Sequence, residues 1–330
     1  MKQLRFAFAG FRHDHITSLY RRVTAHPECT VVAAAEENGS VRSKLAASGK
    51  AEITHCSITE MLDSVECDCV AIGDCYGRRG AIAADALRRG KHVITDKPLC
   101  TSLAELETIR QLAEEKSLTV GCMYTLRDNP AVMAVKSLID SGRLGKILQV
   151  QFTAQHPLMR DTRPEWYFEK DMHGGTINDI GCHAFDIIPY LTGSPIERIV
   201  GARSWQALEK DSPFHDAGQF MLALADGCGV MGDVSYCALD RGGYAHPAYW
   251  RFNFWGSEGM VEFHHTSTQL RCFFKGVDGE TLLDVPESSG EGYFEGFLAE
   301  ISGRNSAVTT GTVLEAAYWS LAAQAAADGK

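Results

Sequence analysis

Two polar residues with helical spacing offer the strongest chemistry in the sequence. Asp179 and His183 are four residues apart, so both side chains fall on one face of a predicted helix over residues 176–191. Gly181 lies between them and costs roughly 1 kcal/mol of helix propensity, which indicates that another group packs closely there. A carboxylate one turn from an imidazole can act as an acid/base pair. The alternative interpretation is a capped helix with a polar, exposed face.

A lysine at the end of a predicted strand is the second candidate. Lys97 follows the apolar segment at residues 92–95, and ligands of open parallel sheets bind at the carboxyl ends of the strands. Pro98 favours an extended conformation at Lys97, so the ammonium group can project into a cleft. Lys97, with Asp96 beside it, could hold a substrate hydroxyl or carbonyl group. The alternative is a surface lysine at a strand end.

The turn after the first predicted strand has part of a dinucleotide-binding pattern. In the pattern G-x-G-x-x-G only Gly10 is present, and Arg12 and His15 occupy the other two glycine positions. Arg12 could contact a phosphate group instead. Glu36 ends the second strand, where a carboxylate accepts hydrogen bonds from ribose hydroxyls, and Glu37 would repel a 2′-phosphate. These residues predict NAD rather than NADP; without a ligand they form a capping loop and a solvated strand end.

The elements that position these residues fall into two groups. Apolar strands alternate with helices through residues 1–123, which predicts a parallel sheet covered on both faces. After residue 145 apolar and polar residues alternate, as at Leu148, Val150 and Phe152, and turns follow at 226–227 and 278–279. With closing helices at 291–302 and 311–327, this half predicts an α+β domain with a mainly antiparallel sheet. We expect domains at residues 1–125 and 126–330.

Composition excludes several other classes of protein. The 330 residues carry a formal net charge of −10. A protein that binds nucleic acid usually has a basic surface, so this charge argues against that class. No apolar run reaches the roughly 18 residues of a membrane span. Arg5 interrupts the first apolar segment, so we predict a strand there and not a signal peptide. Eleven cysteines without a CxxC pair predict free thiols and a cytoplasmic location.

Two longer motifs carry a resemblance to a known family. Gly90-Lys91-His92-Val93 with Asp96-Lys97-Pro98 is similar to the signature G-K-H-V…E-K-P, with Asp for Glu. Residues 174–183 are similar to G-G-G-x-x-x-D-x-G-x-H, with His173 in place of the first glycine. The whole chain thus resembles the glucose–fructose oxidoreductase/inositol dehydrogenase family, Gfo/Idh/MocA. Residues 74–79 (DCYGRR) stand where the family has T-P-N-x-x-H beside the nicotinamide.

The resemblance implies a Rossmann domain and an α+β domain whose sheet forms a homodimer or homotetramer. It implies hydride transfer between NAD, less readily NADP, and a hydroxyl-bearing carbon of a sugar, inositol or related polyol. His183 would be the base, Lys97 would stabilise the developing alkoxide, and Asp179 would orient the substrate. Relatives hold the Lys97–Pro98 peptide in the cis form. The alternatives are an NAD-dependent glycosidase or dehydratase that oxidises its substrate transiently, and a non-catalytic nucleotide-binding protein.

The remaining site predictions also follow from the resemblance. The expected cofactor contacts are Gly10, Phe11, Arg12, His13, His15, Glu36, Gly73, Asp74, Asp96 and Lys97. The candidate substrate contacts are Tyr124, His156, Trp166, His173, Tyr244 and His246. Some of the histidines, such as His13, His15 and His173, could meet around a metal ion, but the family does not require one and we predict none.

Overall fold

The computed structural model describes residues 3–287 and 292–329. The chain divides into two compact units. The first unit runs to Met123 and adds Asp171–Gly174 and Gly296–Leu314. The second unit comprises Tyr124–Lys170, Gly175–Glu295 and the chain from Glu315 onward. None of the helices in the described part of the chain has the length and apolar character of a membrane span.

The first unit contains a five-stranded parallel sheet, as predicted. Its strands are β1 (Leu4–Ala9), β2 (Cys29–Ala35), β3 (Cys69–Ile72), β4 (His92–Thr95) and β5 (Val120–Cys122). They are ordered β2-β1-β3-β4-β5. Residues such as Phe6, Phe8 and Val70 are fully buried, because the helices cover both faces of a parallel sheet.

The helices of the first unit connect these strands. They are α1 (Ile16–Ala25), α2 (Gly39–Ser48), α3 (Ile58–Ser64), α4 (Tyr76–Arg88) and α5 (Leu103–Lys116). Ser57 and Ser102 cap α3 and α5 through their side-chain oxygens, and each begins a Ser-x-x-Glu segment, the sequence pattern of a capping box. The sequence analysis missed α2, because Leu45 is its one buried residue and no apolar stripe marks it.

The second unit contains an eight-stranded sheet. Its strands are β6 (Ile147–Pro157), β7 (Ile196–Trp205), β8 (Ala217–Leu224), β9 (Gly229–Ala238), β10 (Arg251–Gly256), β11 (Gly259–His264), β12 (Gln269–Phe274) and β13 (Thr281–Asp284). Their order is β13-β12-β11-β10-β6-β9-β8-β7, and the pairing is antiparallel except between β6 and β9. The predicted mainly antiparallel sheet is confirmed.

One detail of the predicted alternation on β6 is wrong. Val150 and Phe152 are fully buried, but Leu148 is 52% exposed. The pairing with β10 shifts register between Ile147 and Gln149. A bulge of this kind turns the following side chain to the other face of the sheet, so Ile147 is buried where Leu148 was expected.

The remaining helices complete the described structure. They are α6 (Pro130–Asp140), α7 (Cys182–Thr192), α8 (Tyr293–Ile301) and α9 (Thr310–Ala327). Asn129 caps α6 and Pro130 is its first residue, as Pro at this position predicts. A π-helical segment, Ile177–Gly181, precedes α7 within the predicted helix. The predicted first residue of the helix at 291–302 lies outside the described residues.

Candidate active site

A buried arginine on α4 organises the segment that carries Lys97. The Arg79 guanidinium donates hydrogen bonds to the backbone oxygens of Asp96 (2.9 Å), Lys97 (2.6 Å) and Pro98 (3.2 Å). It also forms an ion pair with Asp96 Oδ2 at 3.0 Å. Arg79 was missed by sequence reasoning; its one signal was its place in residues 74–79, where the sequence departs from the family pattern.

Lys97 is a buried residue and not a surface lysine. Lys97 is 6% exposed, and the peptide bond between Lys97 and Pro98 is cis, as expected. Lys97 Nζ lies 5.7 Å from the centre of the Tyr76 ring. Arg79 lies over the same ring, with its Cζ 4.4 Å from the centre. Lysine is rarely buried, because removing its ammonium group from water costs free energy. The burial of Lys97 therefore favours a functional role.

The predicted cofactor turn depends on two glycines for close packing. Gly10 has φ +79°, and a Cβ there would lie 2.7 Å from Asp74 Cβ. A Cβ on Gly73 would lie 2.4 Å from Ile16 Cβ, where β3 meets α1. The Asp74 side chain is buried as well. This turn therefore keeps the tight turn and the close strand–helix packing of a nucleotide-binding loop, although Arg12 replaces the second glycine.

Glu36 holds the turn through its carboxylate. The backbone N–H groups of Phe11 and Asn38 donate to Glu36 Oε2 (2.5 Å) and Oε1 (2.7 Å). Glu36 is almost fully buried, and this burial raises the pKa of its carboxyl group. The solvated strand end is therefore not observed. Each carboxylate oxygen keeps a second acceptor position.

Glu37 has a cationic partner that the sequence did not reveal. Arg78 Nη2 lies 2.6 Å from Glu37 Oε2, and Arg78 Nη1 lies 2.9 Å from Asp74 Oδ2. The hydrogen bond from Arg78 lowers the pKa of Glu37. Arg42 donates to the backbone oxygens of Glu36 and Glu37, both at 2.8 Å. The repulsion expected from Glu37 toward a 2′-phosphate is thus partly offset by arginine charge.

His13 and His15 meet the carboxylate of Asp96. His13 Nδ1 lies 2.5 Å from Asp96 Oδ2, and His15 Nδ1 lies 3.6 Å from Asp96 Oδ1. Burial lowers the pKa of His13 to about 3, although the Asp96 charge opposes the shift. Burial alone would raise the pKa of Asp96, but the charges of Arg79 and His13 outweigh it and hold that pKa well below its usual range.

His173 is placed in the first unit beside Tyr76. The ring centres of these two residues are 5.4 Å apart, and the Tyr76 hydroxyl lies 3.2 Å from His13 Nε2. The segment Asp171–Gly174 packs against Gly77, whose N–H donates to the Met172 oxygen at 2.8 Å. Tyr76 thus links His13 and His173, two of the predicted site residues, and it was itself missed.

In the second unit a distant glutamine caps the helix that carries the acid/base pair. The N–H groups of Ile177 and Asn178 donate to Gln324 Oε1 at 2.9 and 3.3 Å. Gly175 has φ +91°, and a Cβ there would lie 2.1 Å from the Gln324 side chain. The first N–H groups of the helix are therefore capped by a residue far away in the sequence, which no local sequence motif predicts.

Asp179 and His183 are both buried, so the exposed polar face is not observed. Their exposed fractions are 1% and 2%. Asp179 lies in the π-helical segment, a type of irregularity frequent at functional sites. A Cβ on Gly181 would lie 3.2 Å from the Phe220 ring, which is the close packing that the glycine predicted.

A tyrosine on β9 completes the surroundings of Asp179. The Tyr236 hydroxyl donates a short hydrogen bond to Asp179 Oδ2. Burial, followed by the charge of Asp179, raises the pKa of Tyr236 well above its usual value. Tyr236 therefore stays protonated and orients the carboxylate as a neutral donor. Sequence reasoning missed it, because its only signal is an aromatic residue in a strand.

Aromatic rings surround His183. Its ring centre lies 4.5 Å from that of Trp250 and 6.2 Å from that of Tyr124. Trp250 has φ +51°, a left-handed conformation that non-glycine residues rarely adopt. Such backbone strain is concentrated at functional sites. His156 lies 4.9 Å from Trp250, which joins Tyr124, His156 and His183 in one aromatic cluster.

The other predicted substrate contacts are distributed around this cluster. Tyr244 lies 5.8 Å from His156 between ring centres, and His246 lies 6.3 Å from Tyr249. Trp166 is buried and stacks obliquely on Tyr167 at 4.3 Å. Tyr244, His246 and Trp166 thus lie in the same unit as Asp179. Tyr249, which contacts both His156 and Tyr244, was missed.

A buried ion pair anchors α7 farther along the chain. Arg127 Nε and Nη2 donate to the two carboxylate oxygens of Asp186, both at 2.8 Å. Asp186 follows His183 by three residues, so in a helix it could share the face of Asp179 and His183. The structure instead shows that its carboxylate is used by Arg127, so it has a structural partner.

Comparison with known proteins decides the family. Residues 4–124 match the oxidoreductase family with an NAD-binding Rossmann fold, and residues 132–262 match the GFO/IDH/MocA C-terminal domain. The chain belongs to the Gfo/Idh/MocA oxidoreductase family. The resemblance seen in the sequence is therefore confirmed, and with it the prediction that the chain is an oxidoreductase with an NAD-binding domain.

Relatives within the Gfo/Idh/MocA family act on sugars by name. A dTDP-3,4-didehydro-2,6-dideoxy-alpha-D-glucose 3-reductase from Streptomyces violaceoruber is 28% identical over 268 residues, 79% of this chain and 72% of that protein. A levoglucosan dehydrogenase from Pseudarthrobacter phenanthrenivorans is 25% identical over 205 residues, 56% of this chain and 52% of that protein. The chain thus spans only about half the length of some of its curated relatives.

Solved structures share the Gfo/Idh/MocA fold. An oxidoreductase from Erwinia carotovora superposes with a TM-score of 0.88 at 22% identity, over 98% of this chain and 99% of the other. A levoglucosan dehydrogenase in complex with NADH gives a TM-score of 0.82 at 20% identity, over 99% and 98% of the two chains. At these identities the likeness establishes the fold.

Proposed function

We propose that the protein transfers a hydride reversibly between NAD and a hydroxyl-bearing carbon of a sugar, inositol or related polyol. The observation that carries the proposal is the burial of three groups that could do this chemistry. Lys97, Asp179 and His183 are 6%, 1% and 2% exposed. Keeping such groups from water costs stability, so buried ionisable side chains of this kind are candidates for an active site. Family relatives named for sugar oxidation or reduction favour a polyhydroxylated substrate.

His183 is the proposed base. Imidazole ordinarily titrates near neutral pH, which suits removal of a proton from an alcohol as the adjacent C–H bond breaks. Trp250 and Tyr124 fix the ring by contact on two sides. Lys97 is proposed to donate a hydrogen bond to the reacting oxygen, where it stabilises developing alkoxide charge. Asp179, held by Tyr236, orients the substrate.

NAD is the proposed cofactor, and when bound it supplies the hydride acceptor. The residues of the first unit suit it in two respects. Gly10 has φ +79° and packs against Asp74, which is the tight turn that the first glycine of a dinucleotide-binding loop supplies. Glu36 ends β2 with its carboxylate already fixed by Phe11 and Asn38. Arg12, His13, His15 and Asp74 are proposed to complete the contacts.

Turnover of a panel of sugars and polyols tests the proposal. The appearance of reduced nicotinamide is followed by absorbance with NAD and with NADP. His183→Ala should lower the rate by roughly 10²–10⁴, the usual contribution of a positioned acid/base group. Lys97→Met should also lower it, and cofactor affinity should be nearly unchanged in both variants. His264→Ala, on β11, is the matched control and should retain full activity.

Three outcomes would contradict parts of this assignment. If His183→Ala keeps most of the activity, the base is another group, and His173, His156 and Tyr124 are the next to test. If both variants lose NAD binding, Lys97 and His183 serve the cofactor or the fold. If substrate disappears while bound NAD shows no net reduction, the reaction is a transient oxidation coupled to elimination.

The open face of the eight-stranded sheet is proposed to form a homodimer or homotetramer. Val200, Met221 and Met231 are between 44% and 49% exposed on neighbouring strands β7, β8 and β9. Adjacent exposed apolar side chains favour an interface. Light scattering measures the mass in solution, and a monomer at micromolar concentration would contradict this part of the proposal.

A further inference from the structure

Four side chains of the first unit form a chain of contacts from the protein interior to its surface. Tyr76 is fully buried, and its hydroxyl lies 3.2 Å from His13 Nε2. His13 Nδ1 lies 2.5 Å from Asp96 Oδ2. His15 Nδ1 lies 3.6 Å from Asp96 Oδ1, and the His15 side chain is 57% exposed. The two imidazole ring centres are 4.2 Å apart.

The donor and acceptor at each contact follow from the chemistry of the groups. An ionised carboxylate accepts hydrogen bonds and does not donate them. Asp96 is ionised beside Arg79, so His13 Nδ1 carries the proton that Asp96 accepts. In a neutral imidazole the other nitrogen is then an acceptor, and the Tyr76 hydroxyl donates to His13 Nε2. Hydroxyl, imidazole and carboxylate thus stand in the order that activates a hydroxyl group for proton transfer.

We propose that Tyr76, His13 and Asp96 form a proton relay that releases the substrate's hydroxyl proton to water through His15. The inference rests on the proposed dehydrogenase function and extends it. When the alcohol is oxidised, the C–H electron pair leaves as hydride to the nicotinamide and the O–H proton remains to be removed. One proton must therefore leave the site in every turnover, whichever group accepts it first.

The relay moves this proton without net change in its own charge. The Tyr76 oxygen accepts a proton from a hydroxyl group or water molecule, and the original Tyr76 proton passes to His13 Nε2. The imidazolium that forms is paired with Asp96, as in hydrolytic triads. The imidazolium then passes its Nδ1 proton by way of the Asp96 carboxylate to His15, whose exposed side chain releases it to water. Rotation of the His13 ring and proton exchange then restore the tautomer with the proton on Nδ1 for the next turnover. One proton enters at Tyr76 and one leaves at His15.

The charged groups around Tyr76 and His13 favour this direction. Arg79 and Lys97 lie 4.4 and 5.7 Å from the centre of the Tyr76 ring, and both repel a proton held at Tyr76. His173 is a further titratable neighbour, with its ring centre 5.4 Å from that of Tyr76. His13 faces Asp96, His15 and Arg79. Asp96 thus supplies the negative charge toward which the proton moves.

A metal site is the competing interpretation of the same residues. His13, His15 and Asp96 bring three donor atoms within 4.8 Å of one another, a set that could hold a zinc ion. Arg79, however, already forms an ion pair with the one carboxylate. A divalent cation would therefore bring two positive charges beside the Arg79 guanidinium with only the Asp96 carboxylate to offset them, and incompletely compensated buried charge is costly.

Two substitutions of His13 test the relay. His13→Ala should slow turnover at neutral pH by roughly 10–10²-fold, less than the 10²–10⁴ of a group that acts on the reacting atom. Added imidazole should restore part of the rate, because it can occupy the space and carry the proton. His13→Gln keeps hydrogen-bonding groups at the position but cannot carry a proton, so it should be slow with little response to imidazole. Tyr76→Phe should be slow in the same way.

The controls separate proton transfer from binding and folding. NAD affinity is measured for each variant, and His26→Ala, at the other end of α1, should behave as the unmodified protein does. The slow variants should recover as the pH rises, because hydroxide replaces the relay. Nitrogen-15 NMR of labelled histidine should show His13 protonated at Nδ1, with Nε2 as the acceptor, and Asp96→Asn should change that signal.

The outcomes distinguish failure of the relay from failure of the proposed function. If the unmodified protein oxidises no polyol, the proposed dehydrogenase function and the relay are both wrong. If it is active and His13→Ala is equally fast, or is slow without any response to imidazole, the relay alone is wrong. If calorimetry shows that zinc binds to the unmodified protein but not to His13→Ala, and if zinc raises the activity, the cluster is a metal site and not a relay. His13 protonated at Nε2 would also overturn it.

Discussion

Replacement of Arg127 by methionine should destabilise the second unit strongly. The Arg127 and Asp186 side chains are 4% and 3% exposed, and two hydrogen bonds of 2.8 Å join them. Arg127→Met keeps apolar bulk but leaves the Asp186 carboxylate buried without its cation. Removal of one partner from a buried pair costs about 3–5 kcal/mol, most of it from the charge that remains.

The double variant Arg127→Met/Asp186→Leu separates that penalty from the value of the pair. It removes both charges, so its unfolding free energy should lie within about 1–2 kcal/mol of the unmodified protein, since apolar replacement of a buried pair is often close to neutral. Part of any loss will come from Tyr190, because the guanidinium carbon lies 4.0 Å from the centre of that ring.

Urea unfolding followed by fluorescence and circular dichroism measures these free energies. Arg271→Met is the matched control, because the Arg271–Glu280 pair is 2.6 Å long but lies on the surface. Its replacement should lower the unfolding free energy far less than Arg127→Met does, because exposed ion pairs contribute little to stability. The reasoning is refuted if Arg127→Met loses under about 1 kcal/mol, or if the double variant is as unstable as the single one.

Two further predictions concern the first unit. Glu36→Ala should reduce the difference in binding free energy between NAD and NADP by about 1–2 kcal/mol, because one charge-assisted hydrogen-bond acceptor is lost. Calorimetry measures the affinity of the protein for each cofactor. Tighter binding of NADP than of NAD by the unmodified protein would contradict the assignment and implicate Arg42 or Arg78. The pKa of His13 is about 3 in the folded protein and near 6.5 in the unfolded protein. Between these pH values the unfolded state binds a proton that the folded state does not bind. The free energy of unfolding should therefore fall as the pH drops from 6.5 toward 3, by up to about 1.4 kcal/mol per pH unit. His13→Gln should show a shallower slope in urea titrations at each pH, and equal slopes would show that His13 does not titrate in this way.

Local signals in the sequence predicted the strands and many helix ends. β3 is a continuous apolar run, and Ser57, Ser102 and Asn129 mark helix starts through contacts with near neighbours. Leu148 was misplaced because a bulge depends on the partner strand, which periodicity does not reveal. The sequence thus predicts elements well where the cause lies within a few residues.

The site residues that were missed act over long distances in the chain. Arg79 binds backbone oxygens at residues 96–98, and Tyr236 donates to Asp179 from another strand. Neither residue belongs to a motif with fixed spacing. Glu36 was predicted as a ribose contact, but its two backbone partners depend on how the turn folds. Such contacts become visible only once the sheet order is known.

The cap on the π-helical segment affects the order in which the protein can fold during synthesis. Gln324 accepts from Ile177 across 147 residues of sequence, and Ser320 contacts Asn178 from the same helix. In the first unit, Thr310 Oγ1 accepts from the Val120 N–H across 190 residues. Chains generally fold from the N-terminus as they emerge from the ribosome. Here neither unit can satisfy these buried N–H groups until α9 has been made, so the nascent chain carries an incomplete site until α9 has left the ribosome.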